Sequence, residues 1–410
     1  MKERTRLVLE WERRWDEGEG KVNISELCRE FGITRECGYK WIKRFKAANF
    51  DVRAVEERSR RPKHSPTAID EVRQELVVRA RKAHPRWGPR KLRAWLEERY
   101  PGVEFPSASA IAEILKRRGL VFPRGRKPRR SVDAGVSPPF EECHAPNDVW
   151  CVDFKGWFRT KDGRKCYPLT ITDAFSRFVL RCEAMLDPDG PGVAEVFDSA
   201  FREFGLPKTI RSDNGPPFAS TGPAGLTRLS VWWLQLGIRL ERIAPGKPQQ
   251  NGQHERMHRT LKAETEIQRD ARKQQEVFDL WRREFNEERP HEALGMKTPS
   301  KIYSRSWRAY PRKLIVADVT DWDRVEQVDK NGFIRLAKRK VFISSALKHL
   351  IVRLDRTDER SWTVYWGTIL LGRIDGQKLE RGLIPARRRR GQVAVLSLAS
   401  EAELDDRVAR

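Results

Sequence analysis

From residue 148 onward the chain lays down three strand-like runs in succession and then alternates helix with strand. That order reads as a mixed α/β layer architecture. DVWCVDFKGWF, RKCYPLTITDAF and SRFVLRCEAML are rich in β-branched and aromatic residues, with turn residues at 161–163. Val193, Val196, Phe197, Phe201 and Phe204 then recur at helical spacing over about 191–204. A short strand, TIRSD, precedes a second helix around Leu229, Trp232, Trp233 and Leu236, and GIRLERI reads as the next strand. A long helix is expected after PGKPQQNG, reaching Arg289.

Three acids fall at the places where such folds put their chemistry, the strand tips and helix starts along one edge of the sheet. Asp153 lies near the end of the first strand, in WCVDFKG. Asp213 closes TIRSD ahead of an Asn214-Gly215 turn, and Glu255 sits in the first turn or so of the long helix. Three converging carboxylates repel one another unless cations hold them. Oxygen ligands and partial hydration suit Mg²⁺. Two such ions about 3.5–4 Å apart clamp the attacking and leaving oxygens of an in-line phosphodiester displacement.

Glu255 also belongs to HERMH, residues 254–258, which matches the zinc-protease pattern H-E-x-x-H. That reading makes His254 and His258 ligands and Glu255 the base, and it needs a third protein ligand. The following RTLKAETEIQ lacks the glycine and third histidine of the extended motif, and Asp153 and Asp213 stay unexplained. Under the phosphodiester reading, Glu255, His258, Arg259 and Lys262 share a helix face, and the last three line the path of a DNA strand. A solvated basic face is the plainer alternative. His254 is expected to point away from Glu255, so its loss should be mild.

Charge favours a polyanionic partner: 82 Lys+Arg against 58 Asp+Glu leave +24. No apolar run approaches the roughly 20 residues of a spanning helix, and MKERTRLVLEWERRW is charged throughout, unlike a signal peptide. The six cysteines form no C-x-x-C pair, which fits reduced thiols in a cytoplasmic protein. Residues 1–57 read as a helix-turn-helix domain. Leu27 and Phe31 form one apolar face, Gly32 turns the chain, and Thr34 caps a helix that presents Arg35, Lys40, Lys43 and Arg44 to DNA. A structural three-helix bundle is the alternative, and Gly38 in mid-helix is unfavourable. Residues 66–122 suggest a second, helix-turn-helix-like unit, with TAID at 67–70 as a capping box, or else a helical spacer. A basic linker is expected over 123–144, and a small DNA-binding β-barrel over 312–385 with Asn331-Gly332 as a hairpin turn. The basic tail at 386–410 is expected to be partly disordered.

VDFKG, ITDAFSR, RSDNGPPF and PQQNGQHERMHRTLK together resemble the core motifs of integrase-type DDE transposases, the bacterial insertion-sequence enzymes related to retroviral integrases. The resemblance covers most of the chain and implies a ribonuclease-H-like core at 145–305. It implies Asp153, Asp213 and Glu255 as catalytic metal ligands for two Mg²⁺ ions per site, with Mn²⁺ able to substitute. Transposon terminal inverted repeats and target double-stranded DNA become the expected partners, bound by a homodimer or larger multimer at the bacterial nucleoid. The implied reaction cuts 3′ ends and joins them to target DNA. A nuclease that does not join, or a DNA-binding regulator with an inert core, are the alternatives. Two features depart from the pattern. The 41 residues between Asp213 and Glu255 exceed the spacing of many relatives, the extra length falling in ASTGPAGLTRLS. The zinc-binding histidines and cysteines of the retroviral amino-terminal domain have no counterpart.

Overall fold

The computed structural model describes residues 3–57, 69–121, 143–189, 191–244, 252–312, 314, 324–358, 361–386 and 394–398. They divide into two compact units at residues 69 and 70.

The first unit holds α1 (Glu3–Glu17), α2 (Ile24–Glu30) and α3 (Arg35–Ala47). Leu7, Val8 and Trp11 of α1 pack on Leu27, Ile42 and Phe45, a core set by apolar residues three and four apart. Asn23 caps α2 by accepting from Glu26 N, and Thr34 caps α3 by accepting from Cys37 N. Gly38 is buried where α3 crosses α2, and a Cβ there would collide with Cys28 Sγ. The residue that propensity disfavours is therefore fixed by helix packing.

The second unit opens with α4 (Glu71–Ala83), α5 (Pro89–Arg99) and α6 (Ala108–Arg117). Asp70 caps α4, accepting from Arg73 N at 2.8 Å, in place of the expected box whose Thr67 lies outside the described residues. Ser107 caps α6, accepting from Ala110 N at 3.2 Å. These helices join the rest of the unit through His84, whose Nδ1 lies 2.8 Å from Glu284 Oε1, and through a Lys301–Glu98 ion pair of 2.7 Å.

The central sheet is built from β1 (Val149–Phe154), β2 (Phe158–Arg159), β3 (Lys165–Asp173), β4 (Val179–Met185), β5 (Thr209–Ser212) and β6 (Arg239–Arg242). β1 runs antiparallel to β3 and parallel to β5, and β5 runs parallel to β6. On one face Trp150 and Val152 pack against α7 (Gly192–Phe204) and α8 (Arg228–Gln235). On the other, Cys166, Val179 and Cys182 meet α9 (Gly252–Glu264) and α10 (Ala271–Glu287).

The single long helix expected up to Arg289 is in fact two. Asp270 accepts from Lys273 N at 2.9 Å and so starts α10 afresh. Glu264, the last residue of α9, receives Arg289 Nη1 at 2.6 Å and Trp281 Nε1 at 3.1 Å, which ties α10 back alongside. Long-range bonds of this kind leave no periodic trace in a sequence.

Further strands are β7 (Val325–Gln327), β8 (Phe333–Leu336), β9 (Arg339–Phe342), β10 (Ile351–Asp358), β11 (Ser361–Trp366), β12 (Ile369–Asp375) and β13 (Ile384–Pro385). They make a five-stranded sheet, ordered β13-β12-β11-β10-β7, and a separate β8–β9 hairpin. Among the described residues neither closes, so the expected barrel is an open arrangement. The chain turns at Asn331-Gly332 as expected, between β7 and β8, where Gly332 N donates to Asp329 O at 3.0 Å; the β8–β9 hairpin turns separately at Ala337-Lys338, both at positive φ. Within the tail, β14 (Ala394–Leu396) pairs antiparallel with β6 and extends the central sheet to seven strands, a strand the tail's composition concealed. The 123–142 part of the expected linker and RRRR at 387–390 lie outside the described residues. No helix among the described residues is long and apolar enough to cross a membrane.

Candidate active site

β1 brings Asp153 opposite Thr170 of β3, while β5, its parallel neighbour, ends one residue before Asp213. Glu255 stands exposed in the first turn of α9. The Asp153 carboxyl is pushed up to about 7, by burial first and then by the charges of Asp213 and Glu255. Burial also raises Asp213, partly offset by a hydrogen bond from Gly215 N to its Oδ1 at 3.1 Å. The three acids thus share one electrostatic neighbourhood. Among the described residues no three metal-ligating side chains are yet drawn together as a ligand shell. The Asn214-Gly215 turn is anchored by Asn214 Nδ2 donating to Ile243 O at 2.6 Å.

Beneath Asp153 lies a buried polar knot that sequence reasoning missed. Thr170 Oγ1 donates to Asp153 O at 3.1 Å, and it lies 2.6 Å from His254 Nε2 and 2.7 Å from His258 Nε2. A hydroxyl has one proton. With that proton given to Asp153 O, both imidazoles must donate to Thr170 through Nε2–H. Thr172 Oγ1, 3.1 Å from His254 Nδ1, is then the donor that completes the set. Burial drives His254 down to about 3. Burial, together with His254 and Lys155, drives His258 down to about 2, so both rings are neutral. His258 Nδ1 is left 3.9 Å from Asp153 Oδ2. The clue in the sequence was LTITD, where two threonines alternate with apolar residues on one strand face.

The expected DNA-facing strip on α9 is therefore corrected. His258 turns into the sheet instead of outward, because the core-facing side of α9 carries His254, Met257, His258 and Leu261. His254, expected to be a mild loss, is as deeply buried as the apolar core. Lys262 and Arg259 are exposed, and Arg259 borders a cleft on the flank of α9 away from Glu255. On α3, Arg35, Lys40 and Lys43 are exposed and Arg44 is half-buried. Asp173, within ITDAFSR, is fully buried and accepts from Asn147 N and Ser176 N, both at 2.7 Å. It pins the loop between β3 and β4.

Comparison with known proteins matches residues 143–248 and 236–299 to integrase core domains, 3–63 to a helix-turn-helix domain and 37–115 to a homeodomain-like domain. A 31.7 kDa protein of insertion element IS407 from Burkholderia multivorans is 28% identical over 293 residues, which is 70% of this chain and 92% of that protein. The chain carries an integrase core domain together with helix-turn-helix domains, and proteins of bacterial insertion elements are among its relatives. A 39.2 kDa protein of insertion element IS476 from Xanthomonas euvesicatoria is 27% identical, over 58% of this chain and 66% of its own length. The Gag-Pol polyprotein of baboon endogenous virus is 31% identical over 175 residues, 43% of this chain but 9% of the polyprotein. A solved HTLV-2 integrase catalytic core domain in complex with magnesium aligns at 18% identity and a TM-score of 0.31, covering 39% of this chain and 98% of that one. Integrase cores as a family are polynucleotidyl transferases, and the helix-turn-helix matches make the amino-terminal part a DNA-binding region.

Proposed function

We propose that the chain is a DNA transposase that binds terminal inverted repeats through its amino-terminal helical units, cuts at the 3′ ends, and joins those ends to target DNA. The observation that carries this reading is the Asp153 carboxyl, raised to about 7 in part by the fields of Asp213 and Glu255. Asp153 and Asp213 at the ends of neighbouring strands and Glu255 in the first turn of α9 offer oxygen donors only, which suits a hard divalent cation. Asp153, Asp213 and Glu255 would hold it. Two Mg²⁺ ions, or Mn²⁺ in their place, would supply the clamp on attacking and leaving oxygens and acidify the attacking water. The chain's own part is to present the carboxylates on rigid elements: Gly215 N orients Asp213, and Thr170 ties the Asp153 backbone to α9. Exposed Lys262, two turns beyond Glu255 on α9, can meet a phosphate there. Joining of two ends implies at least a homodimer assembled on double-stranded DNA.

The test is a strand-transfer assay on short duplexes carrying the element's ends. Wild-type protein with Mg²⁺ should cleave and join. Asp153→Asn, Asp213→Asn and Glu255→Gln should each lose both steps by at least roughly 10³-fold while still binding DNA. Cleavage without joining would make the chain a nuclease, and DNA binding without either step would make it a regulator.

A further inference from the structure

α9 has two solvent-facing flanks, and only one borders the acids. The other borders a cleft of about 590 Å³, floored by Cys151 of β1 and Thr172 of β3 and closed by the loop and helix start at Arg86 and Lys91. Its walls carry Arg86, Lys91, Arg177, Arg256, Arg259 and Arg289. The three carboxylates on the same walls are already engaged. Glu264 receives Arg289 at 2.6 Å, Asp173 receives Ser176, and Glu292 lies 3.9 Å from Arg90. No ion pair within the described residues compensates Arg86, Lys91, Arg177, Arg256 or Arg259. His291 Nε2 is buried on the same wall without a hydrogen-bond partner among the described residues.

We propose that this cleft binds backbone phosphates of DNA, at a second contact separated from the acid site by the width of α9. The inference rests on the reading of the chain as a DNA-handling protein. Like charges gathered in a partly desolvated wall repel unless an anion joins them. Burial, and then Arg289, push the Lys91 ammonium down to about 8, against the opposing pull of Glu264 and Glu292. Five cations without an ion-pair partner among the described residues, spread over an open cleft, suit a run of singly charged phosphodiesters better than one compact anion. A helix is about 10 Å across, so a duplex lying over the exposed ridge of Arg256, Arg259 and Lys262 reaches both flanks.

The experiment measures binding of the full chain to a random-sequence duplex as a function of salt, with inorganic pyrophosphate binding followed in parallel. Each lost phosphate contact reduces the slope of log K against log salt by about 0.9. Arg86→Gln/Arg259→Gln, both at the exposed rim, should reduce it by roughly 2. Arg272→Gln/Arg283→Gln, an equal charge change on α10, should leave it nearly unchanged. Lys91→Met should reduce it by about 1 without lowering the melting temperature, since it removes the repulsion with Arg289. Equal slopes for the rim and α10 pairs would overturn the proposal. So would loss of pyrophosphate binding with the DNA slope intact, which would make the cleft a site for a compact phosphate. Because the slope does not depend on cleavage, a catalytically inert core would leave this outcome unaffected.

Discussion

Thr170 serves three neighbours with one hydroxyl, tying the Asp153 backbone to both histidines of α9. Thr170→Val keeps the shape but strands both imidazole Nε2–H groups in the core, a cost of roughly 2–4 kcal/mol. Thr170→Ser restores the hydroxyl. The valine variant should melt lower and need more Mg²⁺ for half-maximal strand transfer, and the serine variant should recover both. An unchanged Mg²⁺ requirement in the valine variant would reduce Thr170 to a packing residue. Asp153 gives a second test at this scale. Its folded carboxyl is raised to about 7, so the folded state prefers the neutral acid. Ionisation therefore opposes folding, with a penalty absent below pH 4, growing as pH rises, and complete above about 7. In metal-free buffer Asp153→Asn should be more stable than wild type at pH 8, by on the order of 2–4 kcal/mol, and no more stable at pH 4. Melting curves at the two values check this. The buried histidines act in the opposite direction on both proteins. Their folded pKa is depressed, so stability is lost as pH falls from about 6.5 toward 3.

At the level of elements, Gly38 separates propensity from packing. Helix propensity alone favours Gly38→Ala by up to about 1 kcal/mol, whereas the collision with Cys28 Sγ costs roughly 1–3 kcal/mol. Packing should win, and the variant should melt lower. Cys28→Ala/Gly38→Ala opens the space and should regain most of the loss, as a double-mutant cycle would show. The same contrast explains what could be read from the sequence. Strands β1 and β3 to β6, Thr34 as a cap, and the acids at strand tips follow from local pattern and were legible. The break between α9 and α10 was not, because it rests on Glu264 meeting Arg289 and Trp281. Nor was the inward turn of His258. The helix wheel placed Glu255 and His258 on one face, but the true boundary between core and surface runs between them, set by which side meets Thr170. Ala337-Lys338 carries no glycine to mark it as a turn. The short β14 is hidden in a tail whose composition reads as disorder.

In the molecule as a whole, that last strand links the two sheets of the second unit. β14 pairs with β6 through Ala394, Val395 and Leu396 opposite Arg242, Glu241 and Leu240. Leu396 and Leu398 pack against the large apolar cluster, and Thr368 Oγ1 donates to Ser397 O at 2.6 Å. The cluster itself runs without a break from Trp150, Phe197 and Trp233 to Val352, Leu371 and Ile374, so the central sheet and the five-stranded sheet share one core. A chain ending at residue 392 would uncover the edge of β6, next to the strand that leads to Asp213. Partly burying two leucines contributes on the order of 1–3 kcal/mol, and an uncovered edge is a pairing site for another chain. The truncated protein should therefore melt lower and self-associate with rising concentration, while its affinity for DNA, which the proposed function assigns to the amino-terminal helices, changes by less than about threefold. Calorimetry, light scattering and duplex binding on the same preparation test the three parts together. An unchanged melting temperature and a monodisperse truncated chain would show that β14 does not hold the edge in solution.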